Sequence, residues 1–151
     1  MRDKRFVAVH RGGTLSNEQH CQLIIWAHDC AKHVLPFFGE QIDERLINAL
    51  LVAKKWKLGN ATLGDARNAS LEAIAVANES VNPTAISVAR SVGHAIATAH
   101  MADHSLRAAE YALKAIKTLG KSMDIERDWQ NAQIPLEIME LVFRQEITTK
   151  I

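Results

Sequence analysis

The chain has 151 residues, 48% of them hydrophobic, with only seven glycines and three prolines, enough apolar material for one compact core and too much for a disordered chain. Eighteen basic and 17 acidic side chains leave a formal charge of +1, so no net field points to nucleic acid, an anionic membrane or an acidic substrate. The charged start Met1-Arg2-Asp3-Lys4-Arg5 precedes a short apolar run, Phe6-Val7-Ala8-Val9, too brief for a signal peptide, and no uncharged stretch nears the ~20 residues of a membrane span; a soluble, cytoplasmic protein is expected.

Residues 1–15 read as an N-terminal arm on an all-α domain covering 16–151. The run Phe6-Val7-Ala8-Val9 suits a short strand or a segment laid on the helices, and Arg11-Gly12-Gly13 interrupts regular structure. Over 16–34, Ser16 and Asn17 are candidate N-caps, Leu23, Trp26, Ala27, Cys30, Ala31 and Val34 recur at three-and-four spacing, and Pro36 stops the helix. Cys21 and Cys30 lie about 13 Å apart along this helix, beyond disulfide reach, and read as reduced, partly buried thiols.

A second helix is predicted over 43–58 with Gly59 past its end; only Glu44, Asn48 and Lys55 form its polar stripe among Leu46, Ile47, Leu50, Leu51, Ala53 and Trp56, so it should be mostly buried. Thr62 and Asp65 suggest a capping box for a third helix over 62–80, packed through Ala66, Ala69, Ala73, Val76 and Ala77. Asn82-Pro83 is a cap plus first-turn proline for a fourth, over 83–101. There Ala85, Val88, Ala89, Val92, Ala95, Ile96 and Ala99 make an apolar face, opposed by Ser87, Arg90, Ser91, His94 and Thr98.

The fifth helix, 105–119, is lined on two sides, by Leu106, Ala109, Leu113 and Ile116 and by Ala108, Ala112, Ala115 and Leu119, which should make it central. A short helix follows from Ser122 around Ile125, Trp129 and Ala132, then a last one from Pro135 through Leu136, Met139, Val142, Phe143 and Ile147. The helix pairs do not repeat a residue pattern, so a single-domain bundle of six or seven helices, with some superhelical stacking, is the expected architecture. Trp26, Leu50, Val88, Val92, Ala95, Ala109 and Leu113 are its expected core.

The residues with the most chemistry lie between 93 and 104, where His94, His100, Asp103 and His104 gather at the end of the fourth helix. A continuous helix would put His100 and His104 on one face, while His94 would lie about 120° from His100, so one helix cannot gather all three as metal ligands. Asp29 and His33, also at i and i+4, could complete a site if the first helix packs beside the fourth. The plainer alternative is a structural joint, in which Asp103 caps the fifth helix and the imidazoles bond to helix ends. A third is a surface for a partner. Gly93 inside a helix suggests close approach of a neighbour, and Arg90 can pair with Asp65, either buried or, more ordinarily, on the surface. Arg11-Gly12-Gly13 lacks the Gly-Lys-Ser or Gly-Lys-Thr of a phosphate loop, and Cys30 on an apolar stripe is no nucleophile. No cofactor or metal, and no catalytic residue, is expected.

Several separated runs resemble the immunity-five-like proteins of bacterial polymorphic toxin systems: Arg5-Phe6-Val7 with Arg11-Gly12-Gly13-Thr14-Leu15, Trp26-Ala27-His28-Asp29-Cys30-Ala31, Gly64-Asp65-Ala66-Arg67, Ala89-Arg90, Gly93-His94-Ala95, Thr98-Ala99-His100, Asp103-His104 and Ala108-Ala109-Glu110-Tyr111-Ala112. The resemblance spans roughly residues 5–117, and its most specific part is the histidine-bearing run. It implies an all-α protein that neutralises a cognate toxin by binding it. That favours binding over catalysis, with Asp29, Arg90, His94, His100, Asp103 and His104 as a binding or structural polar cluster; the near-neutral charge argues against an especially basic nuclease as target. The alternative is a small metal- or ligand-binding enzyme centred on His94, His100, Asp103 and His104. The oligomeric state stays open.

Overall fold

The computed structural model describes the backbone of residues 3–150 and the side chains of 3–143. Met1, Arg2 and Ile151, and the side chain of Ile147, lie outside them. Among the described residues are seven α-helices and no strand: α1 (Asn17–Val34), α2 (Glu44–Lys57), α3 (Leu63–Glu79), α4 (Pro83–Ala97), α5 (His104–Thr118), α6 (Met123–Ala132) and α7 (Leu136–Lys150). The protein is a single all-α domain.

The predicted start signals act as local chemistry requires. Ser16 and Gln19 form a reciprocal capping box on α1, as Thr62 and Asp65 do on α3. Asp43 caps α2, Asn82 accepts from the amides of Thr84 and Ala85 ahead of Pro83, and Ser122 caps α6. Past α1 the chain tightens into a 3-10 turn, Leu35–Phe38, that carries Pro36.

The centre of the bundle is α4, not α5. It packs against α1, α2, α3, α5 and the Leu35–Phe38 turn, and even its polar stripe is largely covered: Ser87, Ser91 and Thr98 are buried, with Ser91 Oγ donating to the Ala108 carbonyl at 2.7 Å. Small side chains explain the choice, since Ala85, Ala89 and Ala95 let neighbours approach from several directions. The helix expected to be mostly covered, α2, is peripheral. It buries Leu46, Ala49, Leu50 and Ala53 but leaves Ile47 and Leu51 about half exposed, because its neighbours α1, α3 and α4 cover one side only.

Trp26, Leu50, Val88, Val92, Ala95, Ala109 and Leu113 are all buried, whereas Leu119, at the C-cap of α5, is 39% exposed. Two helices dock differently from the apolar stripes drawn for them. On α6, Ile125 faces out, and the buried residues are Glu126 and Gln130. Gln130 donates to the Ala109 carbonyl at 3.0 Å, and its own carbonyl accepts from the Trp26 indole at 2.9 Å. On α7, Leu136 is exposed and the buried line runs through Ile138 and Val142, continuing from Ile134.

The arm is not a strand. Residues 4–6 and 9–11 form 3-10 turns, a single parallel bridge links Ala8 to Leu15, and Phe6 and Leu15 sink into the cluster formed by Leu23, Trp26, Cys30 and Ile138. The Gly12-Gly13 pair makes this possible. Gly12 adopts φ 92°, and a Cβ on Gly13 would lie 2.0 Å from the Val7 carbonyl oxygen, leaving room for no other residue.

Candidate functional site: a groove between α3, α4 and α5

α3 buries Ala66, Ala69, Ala73, Val76 and Ala77 and packs against α2 and α4, with Ala73 beside Gly93 of α4. Beside this seam lies an open cleft of about 310 Å³. Arg67, Leu71 and Ile74 of α3 form one wall, and Arg90, Gly93 and His94 of α4 form the other; His100, in the α4–α5 turn, and His104, at the start of α5, close the end. Both wall residues Leu71 and Ile74 remain substantially exposed, at 59% and 43%.

His94 and His104 face each other with Nδ1···Nδ1 2.8 Å, their rings near-parallel. Two imidazole nitrogens can share such a bond only if one carries a proton and the other offers its lone pair. Tyr111, one to two turns further along α5, stacks on the other side of His94 with centroids 5.3 Å apart, and the Arg90 guanidinium lies 5.9 Å from the tyrosine ring centre. Burial, then the positive charges available on His104, Arg107 and Arg90, push the His94 pKa down from 6.5 to about 4. His100 is also lowered, by burial first and then by Arg67 and Arg11, against a backbone hydrogen bond with Leu63. Its Nε2 is buried with no hydrogen-bond partner.

The turn gathers three histidines because α4 stops at Ala97 instead of running to 101. The Thr98 hydroxyl bonds back to the His94 carbonyl at 3.0 Å, while the Thr98 carbonyl accepts from His20 Nε2 at 2.6 Å. Pulled from both sides, the backbone changes from α-helix to tight turns. His100 therefore leaves the helical wheel on which its spacing to His104 was reckoned.

Asp103 does not cap α5: it has φ −69° and ψ −14° and makes no capping bond, because the turn has already brought it into helical dihedrals, whereas capping asks for an extended residue. Asp29 is not among the groove's residues. It pairs with His28 Nδ1 at 2.8 Å on α1, off that helix's buried stripe, and so the i, i+4 pairing with His33 is not made. Arg90 is exposed over Tyr111, and Asp65 serves its capping box, so the two do not form the ion pair. Gly93 does lie against α3, but a Cβ there would meet Ile74 at 3.6 Å, an ordinary contact. Among the described residues, no group of three His, Cys, Asp or Glu side chains is placed to hold a metal ion.

Two features had no local signal. His33 bonds to Glu126 at 2.6 Å and stacks on Trp129 with centroids 3.6 Å apart, joining residues 93 positions apart in the chain. The wall of Arg67, Leu71 and Ile74 is the other: it lies off the buried alanine stripe of α3, and only the packing of α4 beside it makes it one side of a cleft.

The fold and the groove define an all-α domain with a recess lined by two arginines and three histidines. The chain matches the family model described as Imm-5 like putative immunity protein over residues 13–137, and it belongs to that family. Neither the curated proteins nor the solved structures yield a significant match. Among the described residues, no helix is long and apolar enough to cross a membrane.

Proposed function

We propose that this chain is a non-catalytic immunity protein that neutralises a cognate bacterial toxin, within a polymorphic toxin system, by binding it in the cytoplasm. The observation that carries this reading is family membership across 13–137. The chemistry of the site is consistent with it. Burial pushes the thiols of Cys30 and Cys21 up, away from the nucleophilic thiolate, and His94 and His104 use their Nδ1 atoms on each other. An antidote needs a complementary surface with a few exposed anchors instead of a reaction centre.

Co-expression with the toxin encoded beside this gene tests the reading. Restored growth and a co-purifying stoichiometric complex are expected. Growth arrest despite normal levels of folded protein would overturn it, as would protection by catalytic amounts without a complex. Stoichiometric metal that is lost in His100→Ala would instead support an enzyme centred on the histidines.

A further inference from the structure

We propose that the α3–α4–α5 groove is the socket for one acidic side chain, flanked by an apolar residue, on the protein this chain binds. The inference rests on the binding role proposed above and names the chemistry that the partner must present.

Charge complementarity carries the choice of occupant. The chain as a whole is nearly neutral, yet the residues around this cleft include two arginines and three histidines and no acidic side chain. Arg67 and Arg90 stand on opposite walls, so a carboxylate between them can accept paired N–H bonds from either guanidinium. His100, which lines this cleft and also the neighbouring one beside Arg11 and Leu63, keeps a buried Nε2 without a hydrogen-bond partner, and buried polar atoms normally have one. Leu71 and Ile74 add an exposed apolar border next to the cationic recess. Arginine is among the residues enriched at the hot spots of protein interfaces. At about 310 Å³ the cleft is at the small end of ligand pockets, suited to a side chain and its neighbour more than to an extended ligand.

The test uses the full-length protein with labelled histidines, titrated with the blocked tripeptide Leu-Glu-Leu, with Leu-Gln-Leu, and separately with inorganic phosphate. The imidazole signals of His94, His100 and His104 should shift saturably with the Glu peptide and not with the Gln peptide. The double variant R67Q/R90Q, altered only at exposed positions, should keep its thermal midpoint and lose at least about tenfold in peptide affinity. Absence of a saturable shift, an equal response to the Gln peptide, or undiminished binding by R67Q/R90Q overturns the proposal; a response to phosphate without one to the Glu peptide also overturns it, in favour of a small-anion site. The peptide arm needs no toxin. In the co-expression assay R67Q/R90Q should lose protection that the parent protein gives, and full protection by that variant would refute the socket while leaving the binding role standing; a parent protein that fails to protect would refute the role itself.

Discussion

Lowering the pH should destabilise this protein through His94, and replacing that residue should remove part of the effect. An unfolded histidine takes up a proton near its ordinary 6.5, whereas the native ring resists until about 4. Its pKa is depressed on folding, so its contribution to stability is complete above about 6.5 and is lost as pH falls from there toward about 4. At about 1.36 kcal/mol per tenfold change in proton affinity, the drop from 6.5 to about 4 sets a ceiling of about 3.4 kcal/mol. The ring is only half-buried, and solvent screening should reduce this to about 1–2 kcal/mol. The surrounding groups are His104, Arg107, Arg90 and Tyr111, and further protonation also replaces the lone pair required by the His94–His104 bond. Urea unfolding of the parent and His94→Gln at a series of pH values measures the effect. The parent's stability should fall by about 1–2 kcal/mol more than the variant's between about pH 7 and pH 4.5. Parallel curves for the two proteins, or a parent that gains stability on acidification relative to the variant, would refute the reasoning.

Leu113→Ala should cost about 2–5 kcal/mol, since Leu113 is 4% exposed on α5; a thermal midpoint equal to the parent's would place the side chain outside the core. Gly13→Ala cannot keep the arm as it is, with the new Cβ 2.0 Å from the Val7 carbonyl oxygen that accepts from the Leu15 amide at 2.9 Å. A loss of about 1–3 kcal/mol and faster exchange of the Leu15 amide are expected, and unchanged exchange would count against the clash. Gly93→Ala meets Ile74 at an ordinary 3.6 Å and should stabilise α4 by about 0.5–1 kcal/mol; destabilisation seen in urea titrations would show that the neighbours cannot take the extra carbon.

The candidate site was half legible in the chain. His94, His100 and His104 lie within one short segment, and their crowding signalled a joint between helices. The opposite wall did not show, because Arg67, Leu71 and Ile74 belong to another helix and have unremarkable local patterns. Nor could Asp29 be placed: its helix and the histidine segment were both identifiable, but which residues of α1 would face α4 depended on packing. Periodicity says which side of a helix is apolar and leaves unstated which neighbour covers it.

What the sequence by itself determined is where helices begin and end and which residues are driven inward. Capping boxes at Ser16 and Thr62, Asn82-Pro83, and apolar residues three and four apart act over a single turn, so their physics is contained in a few consecutive residues. Only the tertiary structure decided that α4 is central, that α6 docks through Glu126 and Gln130, and that α4 ends at Ala97. Each depends on a partner far away in the chain. His33 meets Glu126, Trp26 supplies the proton for the Gln130 carbonyl, and His20 holds the Thr98 carbonyl. A buried polar group is stable only beside its complement, and that complement is chosen by the packing of helices that no local pattern encodes.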